Sequence, residues 1–480
     1  MMKSLSRRKL LCQGALAWAL RAQEKRKRPN VLFFAVDDLR PELGCYGVGE
    51  IKSPNIDRLA RQGMVFERAY VQQAVCSPSR TSLLTGARPD TTQVWDLVTH
   101  FRKAMPEVVT LPQHFRQNGY FVQGIGKIFH PGYDDERSWS VPWQTPRAPT
   151  YAGSHGKPGK DDDRPKQKDG PAFESADVPD NFYKDGQVAE LAVSALRQRA
   201  NKAEPFFLAV GFAKPHLPFV APKKYWDMYD PAKIPPAPNP VRPKDAPEFA
   251  LTNSGELRNY PGIPAEGSLP PELARKLKHG YYAAVSYTDA QIGKVLDELD
   301  RQGMRQNTIV VLWGDHGWKL GEHGEWCKHS NVENDTNAPL LLSAPAMKTA
   351  GRRSRALVEF VDIYPTLAEL AGLPLPGHLE GSSFKPLLDN PSRPWKQAAF
   401  SQYPRGQKLM GYSMRTDRYR FTVWLDRRDR SRIEAVELYD HHTDPQENIN
   451  IAVLPAHKKL VDELMAQWRQ GWQAARRGVA

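Results

Sequence analysis

Short apolar runs that end on polar residues recur along the chain. Residues 31–36 run into Asp37-Asp38. Tyr120-Phe121-Val122 leads through Gly124 and Gly126 to Lys127 and His130. Residues 206–210 lead to Lys214-Pro215-His216, and residues 309–313 to Gly314-Asp315-His316. Continuous runs of this length read as strands buried on both faces. Helical spacing alternates with them. Residues 185–200 carry Val188, Leu191, Ala192, Ala195 and Leu196 on one side. Residues 283–302 carry Val285, Ile292, Val295, Leu296 and Leu299 and stop at Gly303. Asp362 is placed to cap a helix that ends by Gly372. Strands alternating with helices predict an α/β fold with a mostly parallel sheet flanked by helices. Such sheets bind ligands beyond the carboxyl ends of their strands. Four strand ends carrying Asp, Lys or His mark that edge as the candidate site.

Two stretches break the alternation. Residues 155–170 are charged and contain Gly and Pro, as in a solvated loop. Residues 215–271 are long and Pro-rich, begin beside His216, and are expected to wall the site. After Pro394 the period changes. Tyr419, Phe421, Val423 and Leu425 alternate with polar residues, as in a strand with one buried face. A last helix carries Leu460, Val461, Leu464, Met465, Trp468 and Trp472. The chain thus divides into residues 23–390, a catalytic α/β unit, and residues 391–480, a smaller antiparallel sheet with one helix packed on it.

Residues 1–22 read as an export signal. Ser6-Arg7-Arg8-Lys9-Leu10-Leu11 resembles a twin-arginine motif, an apolar stretch follows, and Ala17, Ala19 and Ala22 offer cleavage sites. The stretch is too short for a membrane span, and no later segment approaches that length. The expectation is an exported protein, periplasmic or secreted, with no integral membrane segment in its mature form. The formal net charge is +13, and the leader carries five of the positive charges and no negative one. The basic remainder attracts polyanions. Nucleic acid is not the expected partner, because zinc-finger and RRM-type patterns are missing. Cys45, Cys76 and Cys327 remain after the leader, which is not a disulfide framework.

The sharpest motif is Cys76-Ser77-Pro78-Ser79-Arg80 followed by Thr81-Ser82-Leu83-Leu84-Thr85-Gly86. Pro78 suits a first helical turn and Gly86 a helix end, which puts Cys76 at a helix N-terminus, a place that favours anions. A buried inert thiol and a thiolate nucleophile are the competing readings of one such cysteine. Adjacent carboxylates at Asp37-Asp38 repel one another, and a divalent cation would relieve that; a helix cap or solvated turn is the plainer alternative. Asp315-His316 supplies a second pair. Lys127 and His130 follow one strand, His216 another, and residues 317–331 form a long polar block that includes Trp318 and Lys328 but lacks the H-E-x-x-H zinc pattern.

From Asn30 to about Ala452 these blocks resemble the type I sulfatases, whose C-x-P-S-R motif is followed by T-S-L-L-T-G. The resemblance implies an alkaline-phosphatase-like fold. It also implies a sulfuric ester hydrolase in which a separate maturation enzyme oxidises Cys76 to formylglycine. The hydrated aldehyde attacks sulfur with one hydroxyl and expels sulfate by deprotonation of the other. By the same resemblance, Asp37, Asp38, Asp315 and His316, together with the modified Cys76, hold one Ca2+. Arg80 and Lys127 stabilise the hydrate oxyanion, His130 is the base for its collapse, and His216 protonates the leaving oxygen. Lys328 and His216 bind the sulfate, and Trp318 lines a sugar subsite. His316 departs from the Asn of most sulfatases, which puts nitrogen where a hard cation prefers oxygen. That feature, with Asp37-Asp38-Leu39-Arg40-Pro41, residues 126–132 and residues 317–331, resembles the iduronate-2-sulfatase branch. The substrate it implies is a 2-O-sulfated uronic acid in a glycosaminoglycan-like oligosaccharide. Other sulfated glycans, a phosphatase or phosphodiesterase of the same superfold, and a non-enzymatic polyanion binder are the alternatives.

Overall fold

A seven-stranded sheet lies at the centre of the computed structural model, which describes residues 28–153 and 170–476. The expected leader over residues 1–22 and most of the 155–170 segment lie outside the described residues. The strands are β1 (Asn30–Val36), β2 (Met64–Phe66), β3 (Phe121–Gly126), β4 (Phe206–Phe212), β5 (Thr308–Gly314), β6 (Leu340–Ser343) and β7 (Arg353–Ser354), in the order β7-β2-β6-β5-β1-β4-β3. β1 pairs in parallel with β4 and with β5, and β4 with β3. β6 runs antiparallel to β5 and β2. The sheet is mixed and mostly parallel.

The apolar run of β1 has no polar face because neither side meets water. Leu32, Phe34 and Val36 join one core and Val31, Phe33 and Ala35 the other. The helices that bear on the argument are α1 (Cys76–Thr85), α2 (Leu111–Gln117), α3 (Lys184–Arg199), α4 (Pro271–Arg301) and α5 (Ile363–Leu370). α3 and α4 supply Val188, Leu196, Tyr281 and Val295 to the first core. Leu83, Leu84, Phe115 and Leu367 of α1, α2 and α5 fill the second.

α4 begins earlier than the expected start at residue 283. Pro271 sits in its first turn, where a missing N–H costs nothing, and Leu277, Tyr281 and Tyr282 are buried by the added turns. Asp362 precedes α5 as expected but does not cap it. Its carboxylate accepts instead from the Glu359 and Ser382 N–H groups and from Lys396.

Beyond residue 390 a four-stranded antiparallel meander follows: β8 (Ala398–Arg405), β9 (Leu409–Thr416), β10 (Tyr419–Asp426) and β11 (Ile433–Asp440). α6 (Lys458–Arg469) places Leu464 in a core with Met414, Phe421, Val423 and Leu438. The alternation in β10 predicted one buried face, whereas both are covered: Arg420, Thr422 and Trp424 are 1%, 2% and 0% exposed. The polar face meets the central sheet's own loops. Arg420 pairs with Glu447 and with Glu333, and the Trp424 ring meets Phe249 at 5.2 Å. A charged residue reads as solvent-facing in sequence, and here one partner, Glu447, follows β11 while the other, Glu333, lies across the packing boundary.

Candidate active site

The residues at the carboxyl ends of β1, β3, β4 and β5 converge on the N-terminus of α1. Cys76 is the first residue of that helix and Gly86, left-handed at φ 69°, closes it. The Cys76 Sγ lies 3.4 Å from Asp37 Oδ1, 3.3 Å from His316 Nε2 and 4.0 Å from Lys127 Nζ. It is 1% exposed. Burial, reinforced by the Asp37 charge, pushes its thiol well above the ordinary cysteine range. An unmodified thiolate nucleophile is therefore disfavoured here, because attack by sulfur needs the ionised form.

Arg80, one turn further along α1, ties three strand ends together. Its Nε donates to Asp315 Oδ2 at 2.9 Å and its NH2 to Asp37 Oδ1 at 3.1 Å, while its NH1 donates to the carbonyls of Lys127 and Ile128. The rigid fork of a guanidinium makes this many directed bonds where a lysine would make fewer. Lys127 Nζ reaches Asp37 Oδ2 at 2.5 Å. Burial alone would raise the Asp37 carboxyl, but Lys127 and Arg80 overcome it and hold the group well below the usual carboxylate range. Gly211 of β4 lies against Lys127: a Cβ there would collide with the Lys127 carbonyl. His130 follows on the same turn, buried, with its ring stacked on Tyr133.

Asp38 behaves differently. Burial pushes its carboxyl up to about 6, and Lys328, 3.0 Å away, only partly opposes it. Its charge is under-compensated by the protein alone. Asp37, Asp38, Cys76 and His316 bring four ligand atoms within 4.8 Å of one another, all buried. The Asp315 carboxylate stands at the edge of this group. Its Oδ1 accepts the Asp38 N–H at 3.0 Å and lies 3.6 Å from His316 Nε2. Two or three carboxylates around one point, one of them short of positive charge, suit a divalent cation.

His216 and Lys328 complete the cluster. His216 Nδ1 bonds the Leu217 carbonyl at 2.6 Å, which turns Nε2 toward Asp38 and Glu256 at 3.9 and 3.1 Å. Lys328 Nζ sits between Asp38 and Glu256. Although burial opposes it, these two carboxylates raise its ammonium well above the ordinary lysine range. A cavity of about 640 Å³ opens onto this group, lined among others by Cys76, Lys328, His329, Glu256, Tyr403 and Arg405.

Trp318 does not reach that cavity. Its ring is 0% exposed, packed on Phe219 and lying 4.7 Å beneath the Lys328 ammonium. In this position the ring gives Lys328 a cation–π support. Sequence reasoning also missed residues. Glu256 comes from a one-turn helix (Gly255–Arg258) inside the Pro-rich segment, and Tyr403 and Arg405 come from β8. No local pattern marks them. For Glu256 the available signal was the length of the 215–271 segment; Tyr403 and Arg405, in β8, had none.

A family model described as Sulfatase matches residues 29–373, and one described as N-sulphoglucosamine sulphohydrolase, C-terminal, matches residues 321–473. The iduronate 2-sulfatase of Mus musculus is 36% identical, over 91% of this chain and 93% of its own length. A solved structure in complex with D-glucosamine-2-N,6-O-disulfate superposes with a TM-score of 0.73 at 24% identity, covering 93% of this chain and 99% of the other. A phosphonate monoester hydrolase from Silicibacter pomeroyi superposes with a TM-score of 0.73 at 21% identity, covering 94% and 96%. At these identities the two structures establish a shared fold, not a shared substrate.

Proposed function

The chain belongs to the sulfatase family, and on that premise we propose that it removes the 2-O-sulfate of a uronic acid in a glycosaminoglycan-like oligosaccharide. It is a sulfuric ester hydrolase of sulfated sugars. The finer reading is carried by the extent of the likeness to an iduronate 2-sulfatase, which spans 91% of this chain. The cavity supports it: Lys328 and Arg405 both line the wall, and a sulfated uronate brings two anionic groups on one sugar.

Formylglycine is general in the family, and Cys76 is the residue in place to become it. Converted and hydrated, it would supply a geminal diol, with one hydroxyl as the nucleophile toward sulfur and the other as the proton source for release of sulfate. The chain's own residues prepare that step. Arg80 and Lys127 hold the Asp37 charge, and Lys127 Nζ faces Cys76 Sγ, where an oxyanion would be stabilised. His130 is the proposed base for collapse. His216 presents Nε2 to protonate the leaving oxygen, and Lys328 holds the sulfate. Asp37, Asp38, Asp315, His316 and the modified Cys76 would hold calcium, which would supply positive charge to the sulfate oxygens.

Export through the twin-arginine-like leader and maturation by a formylglycine-generating enzyme belong to the same proposal. No helix among the described residues is long and apolar enough to cross a membrane.

The test is sulfate release from defined disaccharides. A 2-O-sulfated uronate should give a kcat/KM at least about tenfold above 6-O-sulfated glucosamine or nitrophenyl sulfate, roughly 1.4 kcal/mol in transition-state binding. Equal or better turnover of the 6-O-sulfated amino sugar rejects this specificity.

A further inference from the structure

Glu256 has no part in the chemistry described above, yet its carboxylate stands inside the anion site. It accepts from Lys328 Nζ at 2.9 Å, faces His216 Nε2 at 3.1 Å and lies 3.8 Å from His329 Nε2. It lines the cavity, and His216 does not. The ammonium and the imidazole it faces are those assigned to the incoming sulfate. A carboxylate and a sulfate ester cannot share one ammonium and one imidazole at hydrogen-bond distance without strong mutual repulsion. One of the two must leave.

The backbone under Glu256 is clamped on both sides. The Thr252 N–H donates to Glu325, the Trp326 N–H donates to Ser254 Oγ, and Arg405 of β8 donates to the carbonyls of Phe249 and Ala250. Arg258 ties down the carbonyls of Asn253, Pro264 and Gly267. The segment is held, while the glutamate side chain keeps three rotatable bonds and opens onto the cavity at 15% exposure. Displacement therefore falls to the side chain.

We propose that Glu256 is an internal stand-in for sulfate: it occupies His216 and Lys328 between turnovers, yields to the sulfate ester of the substrate, and returns to help expel inorganic sulfate. It is a specificity-determining residue, because a ligand must bring its own strong anion to the same point before His216 is exposed to the leaving oxygen. It also limits product inhibition, since free sulfate has to compete with a tethered carboxylate at high effective concentration. The inference rests on His216 and Lys328 being the sulfate ligands.

The experiment is calorimetric titration of the mature enzyme with sodium sulfate, paired with the inhibition constant of sulfate during turnover. Glu256→Gln and Glu256→Ala should each bind sulfate at least tenfold more tightly than the parent, and Glu256→Asp, which keeps the charge, should stay near it. Thermal melting of each variant checks that it folds, and the isosteric Gln variant guards against collapse of the site in the Ala variant. Unchanged or weaker sulfate binding in both neutral variants overturns the inference and leaves Glu256 as an ordinary support for Lys328. Sulfate release by the parent enzyme is scored separately, so failure of the sulfatase reading is not confused with failure of this one.

Discussion

Replacing Lys396 with methionine tests how the C-terminal sheet is fastened beside the site. Lys396 is fully buried just ahead of β8, and its Nζ donates to Glu359 at 2.7 Å and to both Asp362 oxygens at 2.6 and 2.7 Å. Arg88 completes Glu359 with two bonds at 2.8 and 2.9 Å. Methionine fills similar volume and removes the charge, which leaves Glu359 on the Arg88 guanidinium and Asp362 with backbone N–H donors but no cation. Breaking a buried pair on one side costs about 3–5 kcal/mol, most of it the penalty of the uncompensated charge. Burial opposes ionisation of Glu359, but Arg88 and Lys396 overcome it and hold the carboxyl at about 2, against an ordinary 4.5. That depression is worth about 3 kcal/mol, a contribution present above pH 4.5 and lost as pH falls toward 2. Asp362 shifts the other way, raised because burial outweighs its single cation, and it offsets part of this gain. In the variant both carboxyls rise, so acidification neutralises them and relieves the penalty. Thermal and urea unfolding of parent and variant between pH 8 and pH 4 should show a deficit largest at neutral pH that narrows on acidification. A variant that melts with its parent at pH 7, or whose deficit grows as pH falls, refutes the reasoning.

Three further outcomes are expected. In active protein, mass spectrometry of the Cys76 peptide should show sulfur and two hydrogens lost and one oxygen gained, and Cys76→Ala should abolish turnover; full activity of that variant would exclude the mechanism. Asp38→Ala should lose both the bound divalent cation and activity. In the parent, calcium affinity measured by calorimetry should rise with pH through about 6, because the Asp38 carboxyl ligates only when ionised; an affinity flat across that range would contradict the assignment. Gly211→Ala should cut kcat by at least about tenfold and cost about 1–3 kcal/mol of stability, because its Cβ drives into the Lys127 carbonyl; wild-type kinetics would show that Lys127 tolerates displacement.

Much of the catalytic scaffold is written locally. The run into Asp37-Asp38 has no polar face, so it reads as a strand buried on both sides, and its end delivers both carboxylates to the cluster around Cys76. Pro78 and Gly86 delimit α1 by the backbone each allows, which sets Cys76 at the helix start without reference to the rest of the fold. Spacing of this kind reports how a segment packs against its own sheet. It carries no information on contacts made across hundreds of residues. Arg420 reads as a solvated charge in an alternating strand until Glu333, 87 residues away, is packed against it. Trp318, which the family resemblance alone assigns to a sugar subsite, packs its buried ring against the Lys328 ammonium. Glu256 sits in an irregular Pro-rich segment with no periodicity to read, and only clamping from β8 and the residues around Trp326 brings its carboxylate to His216 and Lys328. Periodicity and turn chemistry determined the sheet, the helix at Cys76 and the strand-end carboxylates, because those follow from local burial and backbone freedom. Tertiary packing decided which charges neutralise one another and which side chains face the cavity, because a buried charge takes its partner from whatever element folds against it.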